Sequence, residues 1–292
     1  MKIIKIIIET RDFFELEVTM FQTVFENIKN KKPRIHSITN YVTVNDVANA
    51  ILAIGGQPIM ADEISEVAQI QTNCDALNLN MGTLNQQRVE TMIEAGKQAN
   101  KLCHPIILDP VGVGASSFRI QSAKRLLQHI HFDVIKGNMS EIKTLVFDVK
   151  MTSGVDQLES DKVNDEQLET LIPVLKEYAK KMQTILVITG EIDLVLNEKS
   201  CYIIKNGHEK MSSYTGSGCQ LSGLISCFVA ANQNHILEAV ALAVMVYGIS
   251  GEIAAQCLLE NEGNITYKNR VIDILSIVDY QMIKEKMNYE IR

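Results

Sequence analysis

No part of this sequence supplies an excess of basic charge. Its 28 Lys and Arg are outnumbered by 35 Asp and Glu, for a formal net charge of −7. That argues against a nucleic-acid surface, which needs a basic field. A small phosphorylated ligand stays compatible, because local loops rather than net charge make such sites. The six cysteines contain no CxxC pair and have little histidine near them, which argues against a structural zinc site. At 292 residues a secreted disulfide framework is also out of keeping, so the thiols point to a reducing cytoplasm. There is no Gly-x-x-x-x-Gly-Lys-Ser/Thr loop, so a Walker-type nucleotide site is excluded. There is no Gly-x-Gly-x-x-Gly after the first strand either. Gly112-x-Gly114 has Ser117 and Phe118 where the third glycine would stand. No bilayer span is evident: residues 211–234 carry no charge but are too rich in Ser, Gly, Asn and Gln.

The N-terminal stretch is read as a strand or an extension rather than as a signal peptide. Residues 3–8 read Ile-Ile-Lys-Ile-Ile-Ile, but Lys5 interrupts them, and Glu9, Arg11 and Asp12 follow with no small-residue cleavage site. Residues 1–19 are read as an N-terminal extension, disordered or not native, with Met20 as an alternative start. Residues 20–292 are read as one domain, because no linker, low-complexity segment or internal repeat divides them.

What is present is a 46% hydrophobic, 22% charged chain with a clear rhythm. Apolar Phe21, Val24, Phe25 and Ile28 predict a helix over 20–30, which Pro33 ends. A polar loop from His36 leads into a helix from about Thr43 to Ile54, closed by Gly55-Gly56, and a short strand follows at 57–61. Helices are then expected over 64–73, 86–102, 117–130, 139–147 and 165–182, with 148–164 as a surface loop. They alternate with strands at 76–80, 105–109, 133–136 and 184–188, several of them ending in glycine. A hairpin is expected over 193–204, then helices at 218–231 and 236–258 and an amphipathic one at 271–287. Strands alternating with helices of this length predict an α/β fold with a mostly parallel central sheet flanked by helices on both faces. Such sheets bind ligands at the carboxyl ends of their strands.

Three strand ends carry suggestive polar residues. Asp109 opens Asp109-Pro-Val-Gly-Val-Gly114, where an Asp suits hydrated Mg²⁺ or simply caps a turn. In Lys136-Gly-Asn-Met-Ser-Glu141, Asn138 and Glu141 have the spacing of a capping box built with Asn. On a functional reading Glu141 holds metal-bound water and Asn138 a phosphate oxygen. Lys136 either contacts nucleotide phosphate or lies on the rim. Thr189-Gly190 suits a phosphate or ribose contact, or an ordinary strand exit.

A further stretch, Tyr214-Thr-Gly-Ser-Gly-Cys-Gln-Leu-Ser-Gly223, sets three glycines before an apolar run. It is either a tight turn before a core helix or an anion site, where Gly216 and Gly218 let backbone N–H groups approach a phosphate. Cys219 stands where the helix begins, a position that favours a thiolate or a transferred phosphoryl group. Acidic metal ligands plus an anion loop, without a basic cluster, suit phosphoryl transfer from a Mg-nucleotide.

In order along the chain, His36-Ser-Ile-Thr-Asn40, Pro58-Ile-Met60, Asn80-Met-Gly-Thr-Leu84, Asp109-Pro-Val-Gly-Val-Gly-Ala115, Lys136-Gly-Asn-Met-Ser-Glu-Ile142, Ile188-Thr-Gly-Glu191 and Thr215-Gly-Ser-Gly-Cys219 resemble the motifs of hydroxyethylthiazole kinases. These are thiamine-salvage enzymes of the ribokinase-like fold, and the resemblance covers roughly residues 20–280. It implies ATP- and Mg²⁺-dependent phosphorylation of the primary alcohol of 4-methyl-5-(2-hydroxyethyl)thiazole. By matching positions it assigns Asn40, Met60 and Gly216 to the thiazole, and Lys136 and Thr189 to ATP. Asp109 and Glu141 are assigned to Mg²⁺ through water. Gly216, Gly218 and the Cys219 N–H are assigned to an anion hole for the transferred group, with Cys219 as a weak base. The resemblance also implies a homotrimer with active sites between subunits. Lys136 departs from the family, some members of which have Arg there; a point charge then replaces a bidentate fork. The rival readings are a kinase of another small alcohol such as a hydroxymethylpyrimidine, a superfamily lyase or repair enzyme, and a non-catalytic nucleotide-binding relative.

Overall fold

The alternation closes into one nine-stranded sheet among the described residues, which are Glu17, 19–146 and 165–292 of a computed structural model. The strands are β1 (Arg34–Ile38), β2 (Gln57–Ile59), β3 (Ala76–Asn80), β4 (Ile106–Asp109), β5 (Val134–Asn138), β6 (Ile185–Thr189), β7 (Asp193–Leu196), β8 (Cys201–Ile204) and β9 (Tyr289–Ile291). Their order is β2-β1-β3-β4-β5-β6-β7-β8-β9. Pairs from β2 to β6 are parallel, and those from β6 to β9 are antiparallel. The fold is therefore the mostly parallel α/β layer that the sequence pattern predicts.

The period-two alternation of each strand splits the core in two. Ile35, Ile107, Val187 and Val195 face one side, with α1 (19–31), α2 (Val44–Ile54), α8 (Ser217–Ala231), α9 (Ile236–Gln256) and α10 (Asn264–Ile277) packed there. Leu77, Leu79, Leu108, Ile188 and Leu196 face the other, under α4 (Gln86–Lys101), α5 (Ser117–His129), α6 (Met139–Val146) and α7 (Asp165–Met182). The short α3 (Val67–Thr72) precedes β3. By length and composition α9 could cross a membrane, but 78% of its apolar window is buried inside the protein. A helix that is apolar all round belongs in such a core.

Two elements differ from the sequence pattern. Residues 36–38, read there as polar loop, belong to the interior strand β1. Their polar atoms are satisfied at long range: His36 bonds Gln71 Oε1 at 3.0 Å and the Ala61 carbonyl at 2.9 Å, and Ser37 accepts from Asn78 Nδ2 at 3.0 Å. Burial holds the His36 pKa below its usual value and so favours the neutral ring. A strand covered on both faces shows no alternation to betray it. The helix expected over 271–287 is two helices, α10 and α11 (Tyr280–Lys286). Val278 is the C-cap of the first, and Asp279 caps the second, its carboxylate accepting from the Met282 N–H at 2.9 Å. The chain then adds β9 to the sheet edge, pairing Ile203 with Glu290.

The expected loop over 148–164 lies outside the described residues, as does most of the expected extension over 1–19. Within that extension Glu17 is buried, its carboxylate accepting from the hydroxyls of Tyr202 at 3.1 Å and Tyr289 at 3.0 Å.

Candidate active site

Parallel register aligns the strand exits. Asn80 stands beside Asp109, and Asn138 beside Thr189. Helix α8 lies across β1, β3 and β4 with its first turn at this edge. Together they enclose a cavity of about 400 Å³, whose wall includes Asn40, Thr43, Asp109, Lys136, Asn138, Glu141, Thr189, Gly216, Gly218 and Cys219.

The floor is one connected polar network. Asp109 is fully buried, and its Oδ2 accepts from Asn80 Nδ2 and from Ser222 Oγ, both at 2.7 Å. Its Oδ1 faces the Lys136 ammonium at 3.5 Å. Lys136 also donates to the Gly218 carbonyl at 3.0 Å, which ties β5 to the start of α8. Lys136 is 3% exposed, so the rim position open to it in sequence is not the one it takes. Burial pulls its pKa down, but the charge of Asp109, joined by Glu141, outweighs this and holds the ammonium.

Gly216 caps α8 at φ +96°, and the N–H groups of the first turn have no intrahelical acceptor. Cys219 sits among three polar side chains. Asn40 Nδ2 donates to its sulfur at 3.2 Å and Asn80 Nδ2 at 3.3 Å, while Thr43 stands beside it. The helix start alone favours a thiolate, yet burial, reinforced by the Asp109 charge, pushes the thiol pKa up. Thr43, Lys136 and Asn40 offset only part of that rise. With its pKa raised by burial and by the Asp109 charge, the group is a thiol near neutral pH.

Asn138 and Glu141 form the capping box their spacing predicts. Glu141 N donates to Asn138 Oδ1 and Asn138 N to Glu141 Oε2, each at 2.9 Å. Glu141 Oε1 also accepts from Gly112 N at 2.8 Å. Capping does not remove the pair from the site, because both line the cavity.

A second cavity of about 730 Å³ adjoins the first and shares Thr189 and Gly218 with it. Its wall includes Asp193, His208, Met211, Ser217 and Tyr247. Burial pushes the Asp193 carboxyl up to about 7, against the opposing pull of the Gly190 N–H and Lys136. A folded-state value above the usual ~3.9 contributes stability that is full below pH ~4 and is lost as pH rises through about 7. Relative to Asp193→Asn, the wild type is therefore expected to lose on the order of 2 kcal/mol between pH 5 and pH 8. Urea unfolding at the two pH values checks this, and parallel curves for the two proteins would refute it.

A model of the hydroxyethylthiazole kinase family matches residues 25–281. The chain belongs to the hydroxyethylthiazole kinase family. It is 46% identical over 271 residues to the hydroxyethylthiazole kinase of Clostridium acetobutylicum, covering 93% of this chain and 99% of that one. The solved hydroxyethylthiazole kinase of Pyrococcus horikoshii superposes with a TM-score of 0.82 at 28% identity, covering 94% of this chain and 99% of that one. A ribokinase-like superfamily protein of Enterococcus faecalis shares the fold at a TM-score of 0.59 and 14% identity, covering 88% of each chain. The ribokinase-like architecture expected from the motifs is thus the one present.

Against this family background the structure groups nine of the ten residues singled out in the sequence. Asn40, Asp109, Lys136, Asn138, Glu141, Thr189, Gly216, Gly218 and Cys219 line one cavity. Met60 is not part of that wall; it follows β2 at the sheet edge and packs against the larger apolar cluster. Sequence reasoning passed over Asn80 and Ser222. Asn80 had a signal, since it ends β3 as Asp109 ends β4. Ser222 had only its place one turn after Gly218. Arg88 was also missed: it is 4% exposed and donates to the Thr39 carbonyl and Thr83 Oγ1, both at 3.0 Å, and pairs with Asp62. It thereby holds the two loops that border the cavity.

Proposed function

We propose that this protein phosphorylates the primary alcohol of 4-methyl-5-(2-hydroxyethyl)thiazole, with ATP as donor and Mg²⁺ as the accompanying cation. The observation that carries this is the pairing of two joined cavities. The smaller holds two carboxylates, a buried ammonium, a thiol and a glycine-bounded helix start, and the larger has room for a nucleoside. Phosphoryl transfer asks mainly for positioning and charge neutralisation, and these groups offer both.

The residues fit a hydrated cation better than a bare one. Among the described residues no group of three or more His, Cys, Asp and Glu could hold a metal ion. Mg²⁺ keeps several waters and uses one or two carboxylates, so Asp109 and Glu141 suffice through water. When bound, it would neutralise phosphate charge. Lys136 would add a fixed positive charge beneath the glycine loop. Thr189, common to both cavities, would contact the nucleotide phosphates, as would Asn138. The N–H groups at Gly216, Gly218 and Cys219 would receive the transferred group. Asn40 would orient the acceptor, and Cys219, a thiol near neutral pH, would assist its deprotonation as a weak base.

In a homotrimer with active sites between subunits, some of the site residues would act across an interface. The exposed Tyr41 and Val42, 64% and 65% accessible beside the cavity mouth, favour such a contact. Light scattering that finds a lone chain would refute it. The six free cysteines agree with a cytoplasmic setting.

A coupled ADP-release assay tests the reading. The thiazole alcohol is expected to turn over faster than hydroxymethylpyrimidine, and the reverse order would overturn the assignment. In the same assay Cys219→Ala should lower kcat about 10- to 100-fold without abolishing it, as befits a base of modest strength. Complete loss would mean that the thiol drives the reaction.

A further inference from the structure

Thr43 stands at the N-cap of α2, a position where threonine normally accepts from the backbone two or three residues on. Its side chain makes no such bond. The Thr43 N–H is held by the Asn40 side-chain oxygen at 3.1 Å, and the Thr43 carbonyl takes the Val47 N–H at 2.9 Å. The residue is 3% exposed, and its hydroxyl has no hydrogen-bond partner in the protein. The hydroxyl pulls the neighbouring Cys219 thiol pKa down, but the pair does not meet hydrogen-bond geometry. A buried hydroxyl without a partner is costly and rare in a folded protein. Other buried polar atoms without partners, on Thr39, Asn78, Gln220 and Arg270, do not line the cavity; Thr43 does, between Asn40, Gly216 and Cys219.

We propose that the Thr43 hydroxyl is a substrate-binding group that hydrogen-bonds the hydroxyl of the acceptor alcohol and orients it toward the glycine loop. The inference rests on reading the site as an alcohol kinase. Asn40 and Cys219 fix one side of the acceptor corner, and Gly216 closes it so tightly that a Cβ there would lie 2.6 Å from Thr43 Cγ2. An alcohol oxygen is both donor and acceptor, as is the threonine hydroxyl, so the pair suits each other whichever gives the proton.

Thr43→Val tests this, because it removes the hydroxyl at nearly constant shape. Calorimetry on the whole protein would compare the thiazole alcohol with its deoxy analogue, which carries an ethyl group instead. The wild type is expected to prefer the alcohol and Thr43→Val to lose about tenfold in affinity for it, an ordinary hydrogen-bond increment. The variant should bind the deoxy analogue and ATP as before and melt at or above the wild-type temperature. Thr43→Ser should restore the preference. Unchanged alcohol affinity in Thr43→Val overturns the proposal, as does a fall in kcat with the acceptor KM unchanged, which would place the hydroxyl on the thiol instead. If the wild type turns over no alcohol at all, the kinase reading fails instead.

Discussion

Asp109→Ala is expected to destabilise the protein by about 3–5 kcal/mol and to lower kcat/KM by about 1000-fold or more. The stability loss follows from burial. Asp109 is fully buried and Lys136 nearly so, and their ion pair spans 3.5 Å. Removing the carboxylate leaves an ammonium in the interior with the Gly218 carbonyl as its remaining hydrogen-bond partner. Asn80 and Ser222 lose the oxygen they share at the same time. The activity loss has a separate cause, the missing negative charge beside the glycine loop. Asp109→Asn with Lys136→Met separates the two. The pair of changes removes both charges, so urea unfolding should recover most of the stability while turnover stays low. Recovery of turnover along with stability would mean that Asp109 serves the fold alone.

Gly216→Ala is expected to cost about 100- to 1000-fold in kcat/KM, the scale of losing a donor from an anion hole. Two constraints meet at this residue. Its φ of +96° lies where an L side chain is strained. A Cβ there would also stand 2.6 Å from Thr43 Cγ2. Thr43 cannot retreat, because it is buried and its backbone is tied to Asn40 and Val47. The start of α8 must shift instead, and the N–H groups of its first turn shift with it. Gly263→Ala is the control, with nothing within 4 Å of its Cβ and an ordinary φ of −103°. Steady-state kinetics of both variants decide the matter. Wild-type efficiency in Gly216→Ala would mean that the phosphoryl group is held elsewhere.

Much of this architecture could be read from the chain because its signals are local. Alternating strands and helices, glycine after several strands, and the Asn138–Glu141 spacing each depend on residues within a few positions of one another. β1 was missed because the partners that let His36 and Ser37 be buried, Gln71 and Asn78, come 35 and 41 residues later. Asn80 was passed over for a similar reason. Its contacts to Asp109 and Cys219 span 29 and 139 residues. The orphan hydroxyl of Thr43 was hidden because whether its hydroxyl finds a partner depends on Asn40, Gly216 and Cys219 closing round it.

The sequence by itself determined the α/β alternation, the polar residues that end the strands, and the glycines that open α8. Tertiary structure decided which of those residues meet and in what protonation state. It buried Lys136 against Asp109 rather than leaving it on a rim, and it set Met60 apart from the cavity wall. It also raised the Cys219 pKa where the local helix start alone would lower it. The physical reason is that periodicity and turn chemistry are properties of neighbouring residues. Desolvation and charge pairing depend on what the folded chain brings close from far away.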